Sequence, residues 1–349
     1  KPLASASYRN NGNGTFTDVS ASAGIGSHRG NGLGVVMGDY DDDGWLDVFV
    51  ANDTTPNFLF RNDGKGGFSE VALRSGVAMA SDGRARAGMG TDFGDVDGDG
   101  DLDLFVTNHE LETHTLYRNV GKGLFSEVTA QTGLSTPTLP FVGFGTALVD
   151  HDNDGDLDIG IVNGHVVNIP ALVRPGATLE QRKLLFVNDG RGRMQEIGRQ
   201  SGPGFATERV GRTFVAGDID NDGDLDFLVT NNGGDAELLR NELASSTNAV
   251  SIRLIGTTGN RGAVGARIRV SAGGRTLLRE VKAGSSYLGQ NDLRQHIGLG
   301  SISRLDTIEI RWPNGAVEMI ADAAPGQQVT VTEGKGVTAR SPFAASGGR

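Results

Sequence analysis

Cysteine is absent from the 349-residue chain, and aromatic residues make up only 6% of it. The absence of cysteine excludes a disulfide-stapled scaffold and a thiolate metal site. No apolar run approaches ~18 residues, so no transmembrane segment is predicted. Positive charge is also in short supply, because the formal net charge is −11. That balance argues against nucleic acid as a partner, which would require a basic stripe.

Glycine and aspartate are what the chain has in excess. Its 54 glycines predict frequent turns. Twenty of the thirty aspartates fall in four nine-residue windows with the common pattern D-x-D-x-D-G-x-L-D. The windows read DYDDDGWLD (39–47), DVDGDGDLD (95–103), DHDNDGDLD (150–158) and DIDNDGDLD (218–226).

Five carboxylates in nine residues repel one another, and a bound cation is the simplest compensation. Aspartates at positions 1, 3 and 5 can surround one point, glycine at position 6 permits a sharp turn, and the carbonyl of position 7 and Asp at position 9 can close the cage. Oxygen-only ligands favour a hard ion, and flexible mixed ligation suits Ca²⁺ better than Mg²⁺. The loops are not EF-hands, because position 12 lacks Glu and is Val50, Val106, Ile161 or Val229.

A second motif recurs between the acidic windows, with the pattern aromatic-x-Asn-x-Gly-x-Gly-x-apolar. Asn and Gly supply the positive φ of hairpin turns, and the residues that follow alternate with strand period. Together with a Gly-rich strand and the strand after each acidic window, the motif predicts four strands per unit. Four strands in 55 or 56 residues are typical of a propeller blade. The third unit is longer, and its extra residues are predicted to form a surface loop within 163–185.

These repeats, over residues 8–241, resemble the calcium-binding FG-GAP/VCBS repeats of β-propellers. The resemblance implies about four bound Ca²⁺ ions, held by the first, third, fifth and ninth residues and by the carbonyl of the seventh. Carried over to this sequence, the implied metal ligands are Asp39, Asp41, Asp43, Trp45, Asp47, Asp95, Asp97, Asp99, Asp101, Asp103, Asp150, Asp152, Asp154, Asp156, Asp158, Asp218, Asp220, Asp222, Asp224 and Asp226.

The number of blades departs from that family, whose propellers usually have about seven. This chain shows three complete units and partial ones at both ends, and residues 1–26 supply only the last two strands of a blade. The expectation is therefore a partial propeller on a fragment of a longer protein. The alternative is a small ring in which residues 1–26 complete the blade at 208–241.

A different pattern follows the repeats. Residues 242–247 read as a linker, and residues 248–334 as alternating strands of an all-β sandwich or barrel. The segments NRGAVGARIRV, GSSYLGQNDLRQHIGLG and IRWPNG resemble an ASPIC/UnbV domain. Residues 335–349 are rich in Ser, Ala and Gly and are predicted to be disordered. The fold class predicted is all-β: an FG-GAP-type β-propeller over 1–241 and a C-terminal sandwich-like domain.

Other polar groups leave alternatives open. The cluster Tyr287, Gln290, Asn291, Asp292, Arg294 and His296 could bind a sugar or a peptide carboxylate, or could be a hydrogen-bonded core loop. Trp312 could stack on a sugar ring or pack beneath a turn. His109, Glu110 and His114 are spaced H-E-x-x-x-H, one residue too long for a zinc helix. No nucleophile elbow, catalytic cysteine or phosphate loop is present.

The order of repeats and ASPIC/UnbV domain is similar to that of the cartilage acidic protein 1 family. The resemblance implies a secreted or cell-surface protein, with the periplasm as an alternative location, that binds an extracellular protein or glycan and is not an enzyme. Two alternatives stay open: a polysaccharide lyase or hydrolase on a calcium propeller, and a self-assembling subunit of an extracellular filament or sheath.

Overall fold

The computed structural model describes residues 1–172, 174–243, 248–321 and 323–344, and most of its regular structure is β-strand. Helical segments are single turns that connect strands. No helix in the described ranges is long and apolar enough to cross a membrane. The helical segments are α1 (Ala72–Ser75), α2 (Ser135–Thr138), α3 (Pro203–Ala206) and a 3₁₀ turn (Pro170–Leu172).

The repeats form a series of small antiparallel sheets, here called blades 1 to 4, after a short N-terminal region. That region contains β1 (Leu3–Ala4), β2 (Tyr8–Asn10), β3 (Phe16–Asp18) and β4 (Arg29–Gly30). Blade 1 contains β5 (Gly32–Gly38), β6 (Asp47–Asn52), β7 (Phe58–Asn62) and β8 (Phe68–Glu70). Blade 2 contains β9 (Thr91–Gly94), β10 (Asp103–Val106), β11 (Thr115–Asn119) and β12 (Phe125–Glu127). Blade 3 contains β13 (Gly143–Val149), β14 (Asp158–Asn163), β15 (Leu184–Asn188) and β16 (Met194–Glu196). Blade 4 contains β17 (Gly211–Gly217), β18 (Asp226–Asn231) and β19 (Glu237–Leu239).

Each blade runs in the order predicted. An acidic window joins its first strand to its second, and we call the windows loops 1 to 4 (residues 39–47, 95–103, 150–158 and 218–226). In blades 1 to 3 the Asn-Gly turn joins the third strand to the fourth. The longer connection of the third unit lies between β14 and β15, within the predicted range 163–185. It contains the 3₁₀ turn.

The first strands of successive blades approach one another closely, which explains part of the glycine content. A Cβ at Gly34 would overlap the carbonyl of Met89, and one at Gly90 would overlap the carbonyl of Phe144. Only glycine fits where two backbones approach so closely. Glycine in these strands therefore serves blade packing, whereas the composition alone had suggested turns.

The small-ring alternative is wrong. Strands β2 and β3 pair only with each other among the described residues. The turn that follows them lies against blade 1, where Phe68 N donates to the carbonyl of Ala23 at 2.9 Å. The hairpin therefore precedes blade 1 and does not complete the sheet of blade 4.

The C-terminal sandwich, residues 249–342, consists of two four-stranded sheets. One sheet has the order β23-β20-β26-β27, with β20 and β26 parallel, and the other has the order β22-β21-β24-β25. Their facing side chains form one apolar core around Trp312, which is 1% exposed. The strands are β20 (Ala249–Ile255), β21 (Arg267–Ala272), β22 (Arg275–Glu280), β23 (Gln295–Gly298), β24 (Thr307–Arg311), β25 (Val317–Ile320), β26 (Gln327–Thr332) and β27 (Gly336–Pro342).

The predicted disorder of 335–349 is wrong for its first part. Strand β27 pairs with β26 along its length, so hydrogen bonding to a sheet edge orders a segment whose composition favours disorder. Residues 345–349 of that tail, and residues 244–247 of the predicted linker, lie outside the described residues.

Candidate metal centres

All four acidic loops share one backbone conformation. The glycine at position 6 donates its N–H to the first aspartate, at N–O distances of 3.0 to 3.2 Å. The N–H of position 7 donates to the fifth-position carboxylate, at 2.9 to 3.1 Å. The position-6 glycine has φ between 93° and 96° in every loop, a left-handed conformation that other residues rarely adopt.

The ninth aspartate ties each loop to its blade. Its buried carboxylate accepts the N–H of position 2 and the N–H of the asparagine in the Asn-Gly motif. For Asp103 these donors are Val96 at 3.0 Å and Asn119 at 2.8 Å. Asn119 Nδ2 also donates to the carbonyl of Tyr40 in the preceding loop, at 2.8 Å. Equivalent bonds join blade 2 to blade 3 and blade 3 to blade 4, so the turn asparagine links neighbouring loops.

Carboxylate oxygens converge in every loop, with candidate ligand atoms within 4.8 Å of one another. Loops 1, 2 and 3 bring together positions 1, 3 and 5, whereas loop 4 brings together positions 1, 3 and 9. His151, at position 2 of loop 3, forms a further cluster with Asp152 and Asp158. The ninth carboxylates of loops 1 and 2, Asp47 and Asp103, lie outside these clusters.

Several carboxylate oxygens of the four loops are buried without a hydrogen-bond donor. Each loop contains at least one such atom among the described residues. They are Asp41 Oδ1, Asp95 Oδ1, Asp97 Oδ1, Asp150 Oδ1 and Asp222 Oδ2. A buried oxygen that lacks a partner is costly, and a coordinated cation would satisfy it.

The pKa values of the first aspartates also favour a bound cation. Burial raises the pKa of Asp39, Asp95 and Asp218 to about 6, and that of Asp150 to about 7. Neighbouring carboxylates add to the rise, as Asp99 does for the pKa of Asp95. The ionised form therefore lacks sufficient countercharge from the protein, and an oxygen-only donor set of this kind fits a hard divalent cation.

Arginine supplies part of the countercharge that the sequence argument had assigned to a cation alone. The third strands of blades 1 and 2 and the residue after β19 carry these arginines. Arg61 contacts Asp41 at 2.5 Å and Asp43 at 2.9 Å. Arg118 lies 2.7 Å from Asp97, and Arg240 lies 3.1 Å from Asp220. Blade 3 has Val187 at the equivalent position.

Comparison with known families agrees with both halves of this architecture. Residues 4–50, 39–106 and 95–161 match the model of the FG-GAP-like repeat, and residues 256–338 match that of ASPIC and UnbV. The chain contains FG-GAP-like repeats followed by an ASPIC and UnbV domain.

Curated relatives align with most of this chain. Cartilage acidic protein 1 of Homo sapiens is 29% identical over 328 residues, which cover 90% of this chain and 46% of that protein. The Mus musculus and Xenopus tropicalis proteins of the same name are 29% and 26% identical, over 85% and 86% of this chain and 44% of each relative. The chain thus spans less than half the length of the relatives it matches.

Two solved structures show a weaker likeness. One is described as an Agrocybe aegerita lectin that recognises non-reducing terminal N-acetylglucosamine, with a TM-score of 0.36, 18% identity, and coverage of 68% of this chain and 60% of that one. The other is the V. cholerae biofilm matrix protein Bap1, with a TM-score of 0.32, 10% identity, and coverage of 92% and 58%. At these scores neither structure supports an inference about this chain.

The C-terminal sandwich binds three of the four acidic loops, namely loops 1, 3 and 4. At loop 1, Arg311 Nη2 lies 2.8 Å from Asp39 Oδ2, and Arg267 Nη1 lies 2.6 Å from Asp42 Oδ1. At loop 4, Arg294 donates to the Asp218 carbonyl at 2.5 Å. Loop 3 receives donors from β22, from β23 and from the turn after β23. No hydrogen bond between described residues joins loop 2 to the sandwich.

The polar cluster predicted around residues 287–296 lies at this interface. Ser286 Oγ accepts the N–H groups of Thr146 and Phe214, on the first strands of blades 3 and 4, at 3.1 and 3.2 Å. Asn291 Oδ1 accepts the N–H of Ala216 at 3.0 Å, and the Tyr287 ring lies edge-on to Phe144 at 4.9 Å. These contacts are those of a hydrogen-bonded core loop, the second of the two interpretations.

Two further alternatives are decided in the same way. Trp312 is buried in the sandwich core, so the sugar-stacking interpretation is wrong. His114 is buried, and its Nδ1 accepts the N–H of Asn108 at 3.1 Å. Glu110 pairs with Arg174 at 2.6 Å and with His165 at 3.4 Å. The histidine-rich stretch therefore contributes to loop structure.

Sequence reasoning missed the fourth position of the loops, occupied by Asp42, Gly98, Asn153 and Asn221. Its φ is positive in all four, between 56° and 73°. The restriction to Gly, Asn and Asp was the available signal, because these residues tolerate that conformation best.

His151 was missed as well. Burial alone would lower its pKa, but Asp158 at 2.6 Å raises the pKa of His151.

Proposed function

We propose that this chain is a non-enzymatic extracellular or cell-surface repeat protein, stabilised by calcium in its four acidic loops and acting by binding an extracellular protein or glycan. The observation that carries the proposal is the buried, donor-free carboxylate oxygen present in every loop. A divalent cation would supply coordination and positive charge at that point. The first, third and fifth aspartates would hold it in loops 1 to 3, and the first, third and ninth would hold it in loop 4.

The role proposed for calcium is structural. Each site that binds only the folded loop stabilises the protein by RT ln(1 + [Ca²⁺]/Kd), which is about 1.4 kcal/mol at ten times Kd. Extracellular calcium modules typically have Kd values of about 10⁻⁴ to 10⁻³ M. Sites in that range would be filled outside the cytoplasm and empty within it, as the proposed location requires.

The proposed role in binding, and not in catalysis, rests on the match to the FG-GAP-like repeat and to the ASPIC and UnbV domain, because the polar cluster of residues 287–296 does not supply a free ligand site. Asn291, Arg294 and His296 were the best candidates for contacting a ligand, and each is bonded to the blades or their loops. A glycan panel tests this part of the proposal. Binding without cleavage agrees with it, whereas depolymerisation of any polysaccharide in the panel would contradict it.

Calorimetry tests the calcium part. The EDTA-treated chain is titrated with Ca²⁺ and, separately, with Mg²⁺ at equal ionic strength. We expect about four Ca²⁺ sites and a rise in Tm that Mg²⁺ does not match. Asp95→Asn should remove one site, because it withdraws the charge of a buried first aspartate. Asp235→Asn, an exposed aspartate outside the loops, is the matched control and should keep all four. Identical melting of apo and calcium-loaded protein would refute the proposal.

Metal binding at loop 1 can be tested separately from binding at the other loops. Trp45, at position 7, is 49% exposed, whereas the other tryptophan, Trp312, is buried in the sandwich. Terbium, an oxygen-seeking analogue of calcium, should show luminescence sensitised by Trp45 when it enters loop 1. With excitation at a wavelength that tryptophan absorbs and Tyr40 does not, Trp45→Phe should abolish that signal while calcium stoichiometry stays the same. Persistence of the signal in this variant would mean that the terbium lies elsewhere.

A further inference from the structure

The fourth position of the acidic loops has a property that cation binding does not explain. Glycine adopts positive φ at the least cost, and loop 2 has Gly98 there. The other three loops have Asp42, Asn153 and Asn221 in the same conformation. Asp42 lies outside the converging carboxylate cluster of loop 1, and Asn153 Oδ1 and Asn221 Oδ1 accept hydrogen bonds from the C-terminal sandwich. Whatever these side chains bind therefore lies outside the metal site.

In each of the three loops the fourth side chain contacts the C-terminal sandwich. Asp42 pairs with Arg267 at 2.6 Å. Asn221 Oδ1 accepts from Arg294 Nη1 and from Gln328 Nε2, both at 2.6 Å. Loop 2, which has no side chain at this position, has no hydrogen bond to the sandwich among the described residues. The fourth position thus marks the loops that the sandwich binds.

Asn153 makes the most informative of these contacts. Its Nδ2 donates to the carbonyl of Gly223 in loop 4 at 3.0 Å, so its Oδ1 is the acceptor for His296 Nε2 at 2.5 Å. Burial lowers the pKa of His296 to about 3, so this contact is a neutral hydrogen bond that places no charge near a cation. One asparagine side chain therefore joins loop 3, loop 4 and the sandwich.

The first aspartate of loop 3 connects this contact to the candidate metal site. Asp150 Oδ2 accepts the N–H of Gly298, in the same strand as His296, at 2.7 Å, while Asp150 Oδ1 is buried without a donor. The sandwich thus fixes the orientation of a carboxylate whose other oxygen lacks a donor. A cavity of about 80 Å³ lies between the first aspartates of loops 2 to 4 and the facing side chains Arg279, Arg294 and His296.

We propose that cation binding at loop 3 and docking of the C-terminal sandwich are coupled through Asn153 and Asp150, each strengthening the other. The proposal rests on the proposed calcium function. The sandwich orients Asp150 for the cation, and the cation fixes the loop that His296 and Gly298 bind. Such coupling is reciprocal by thermodynamic necessity.

The test compares two glycine substitutions in the full chain. Asn153→Gly removes the docking side chain, retains every predicted ligand and relieves a positive φ of 63°. Lys122→Gly is the matched control, because Lys122 is exposed, has φ of 57° and lies outside the interface. Asn153→Gly should weaken calcium binding at one site about tenfold, within the usual range of coupling between sites, and Lys122→Gly should leave it unchanged.

Hydrogen exchange tests the reverse effect, that of calcium binding on the docking of the C-terminal sandwich. Removal of calcium should speed amide exchange in 295–300, where Gly298 and Gly300 donate to loop 3, more than in β25, which no hydrogen bond among the described residues joins to an acidic loop. Wild-type protein that binds no calcium would overturn the proposed function. Wild-type protein that binds calcium, combined with unchanged affinity in Asn153→Gly or unchanged exchange in 295–300, would overturn the coupling alone.

Discussion

Loops 2 and 3 have the same motif and the same backbone hydrogen bonds, yet they are supported from different directions. Loop 2 has an arginine from its own blade, Arg118, which lies 2.7 Å from Asp97. Loop 3 has Val187 at the equivalent place and is enclosed by the C-terminal sandwich, where Arg279 donates to the carbonyl of Gly155 at 3.0 Å. The repeat therefore determines the cage, whereas the neighbours of each cage determine its countercharge.

The largest expected effect is on the free energy of unfolding, and it should differ between substitutions of Arg279 and of Arg118. Arg279→Met removes a buried charge, with a 9% exposed side chain 3.7 Å from the fully buried Asp150, and should cost about 3 to 5 kcal/mol of unfolding free energy. Arg118→Met removes a 34% exposed partner and should cost less than about 1 kcal/mol. Denaturant unfolding in EDTA measures both. Equal losses would mean that the support of the two loops does not differ.

An intermediate effect concerns pH without calcium. The pKa of Asp95 is raised to about 6 and that of Asp150 to about 7, mainly by burial. The folded protein then holds protons that the unfolded chain has already released, so the stability from these groups is complete below about pH 4 and falls as pH rises toward 7. In EDTA, Tm should decline between about pH 4 and pH 7, from the ordinary pKa of an aspartate up to the raised pKa of Asp150.

Calcium should remove that decline, because it stabilises the ionised carboxylates. Asp150→Asn should flatten the upper part of the EDTA profile, and Asp95→Asn the lower part. Melting curves at each pH, with and without calcium, provide the measurement. An EDTA profile whose Tm rises over the same interval would contradict the raised pKa values of these aspartates.

The smallest expected effect on stability comes from a substitution that makes loop 3 resemble loop 2. Val187→Arg places an arginine where blades 1 and 2 have Arg61 and Arg118, within reach of the third aspartate, Asp152. In EDTA it should stabilise the chain by up to about 1 kcal/mol, and in saturating calcium by less, because the cation already supplies the charge. Arg191→Lys, in the exposed turn of the same blade, is the control. Equal stabilisation in both conditions would show that the new arginine does not act on the loop charge.

Much of the repeat architecture could be predicted because it is local. The strand alternation, the Asn-Gly turn and the glycine at position 6 each act within a few residues of chain. Asn119, the asparagine of the turn in blade 2, shows the limit of such reasoning. The positive φ of its neighbours was predicted. Its hydrogen bonds to Asp103 and to the Tyr40 carbonyl were not, because these partners are 16 and 79 residues away in the sequence. No local pattern encodes those partners.

The chain's own sequence determined that carboxylates would converge four times, since alternating aspartates and a left-handed glycine bend each loop around one point. Only the tertiary structure decided how that charge is balanced and which of the loops the C-terminal sandwich binds. Arg267, Arg279 and Arg294 reach the loops from strands and turns of a domain far along the chain, and long-range electrostatic partners leave no periodic trace in a sequence. The same packing brings residues 283–292 onto the first strands of the blades, because backbone groups exposed there bind whatever segment folding places beside them.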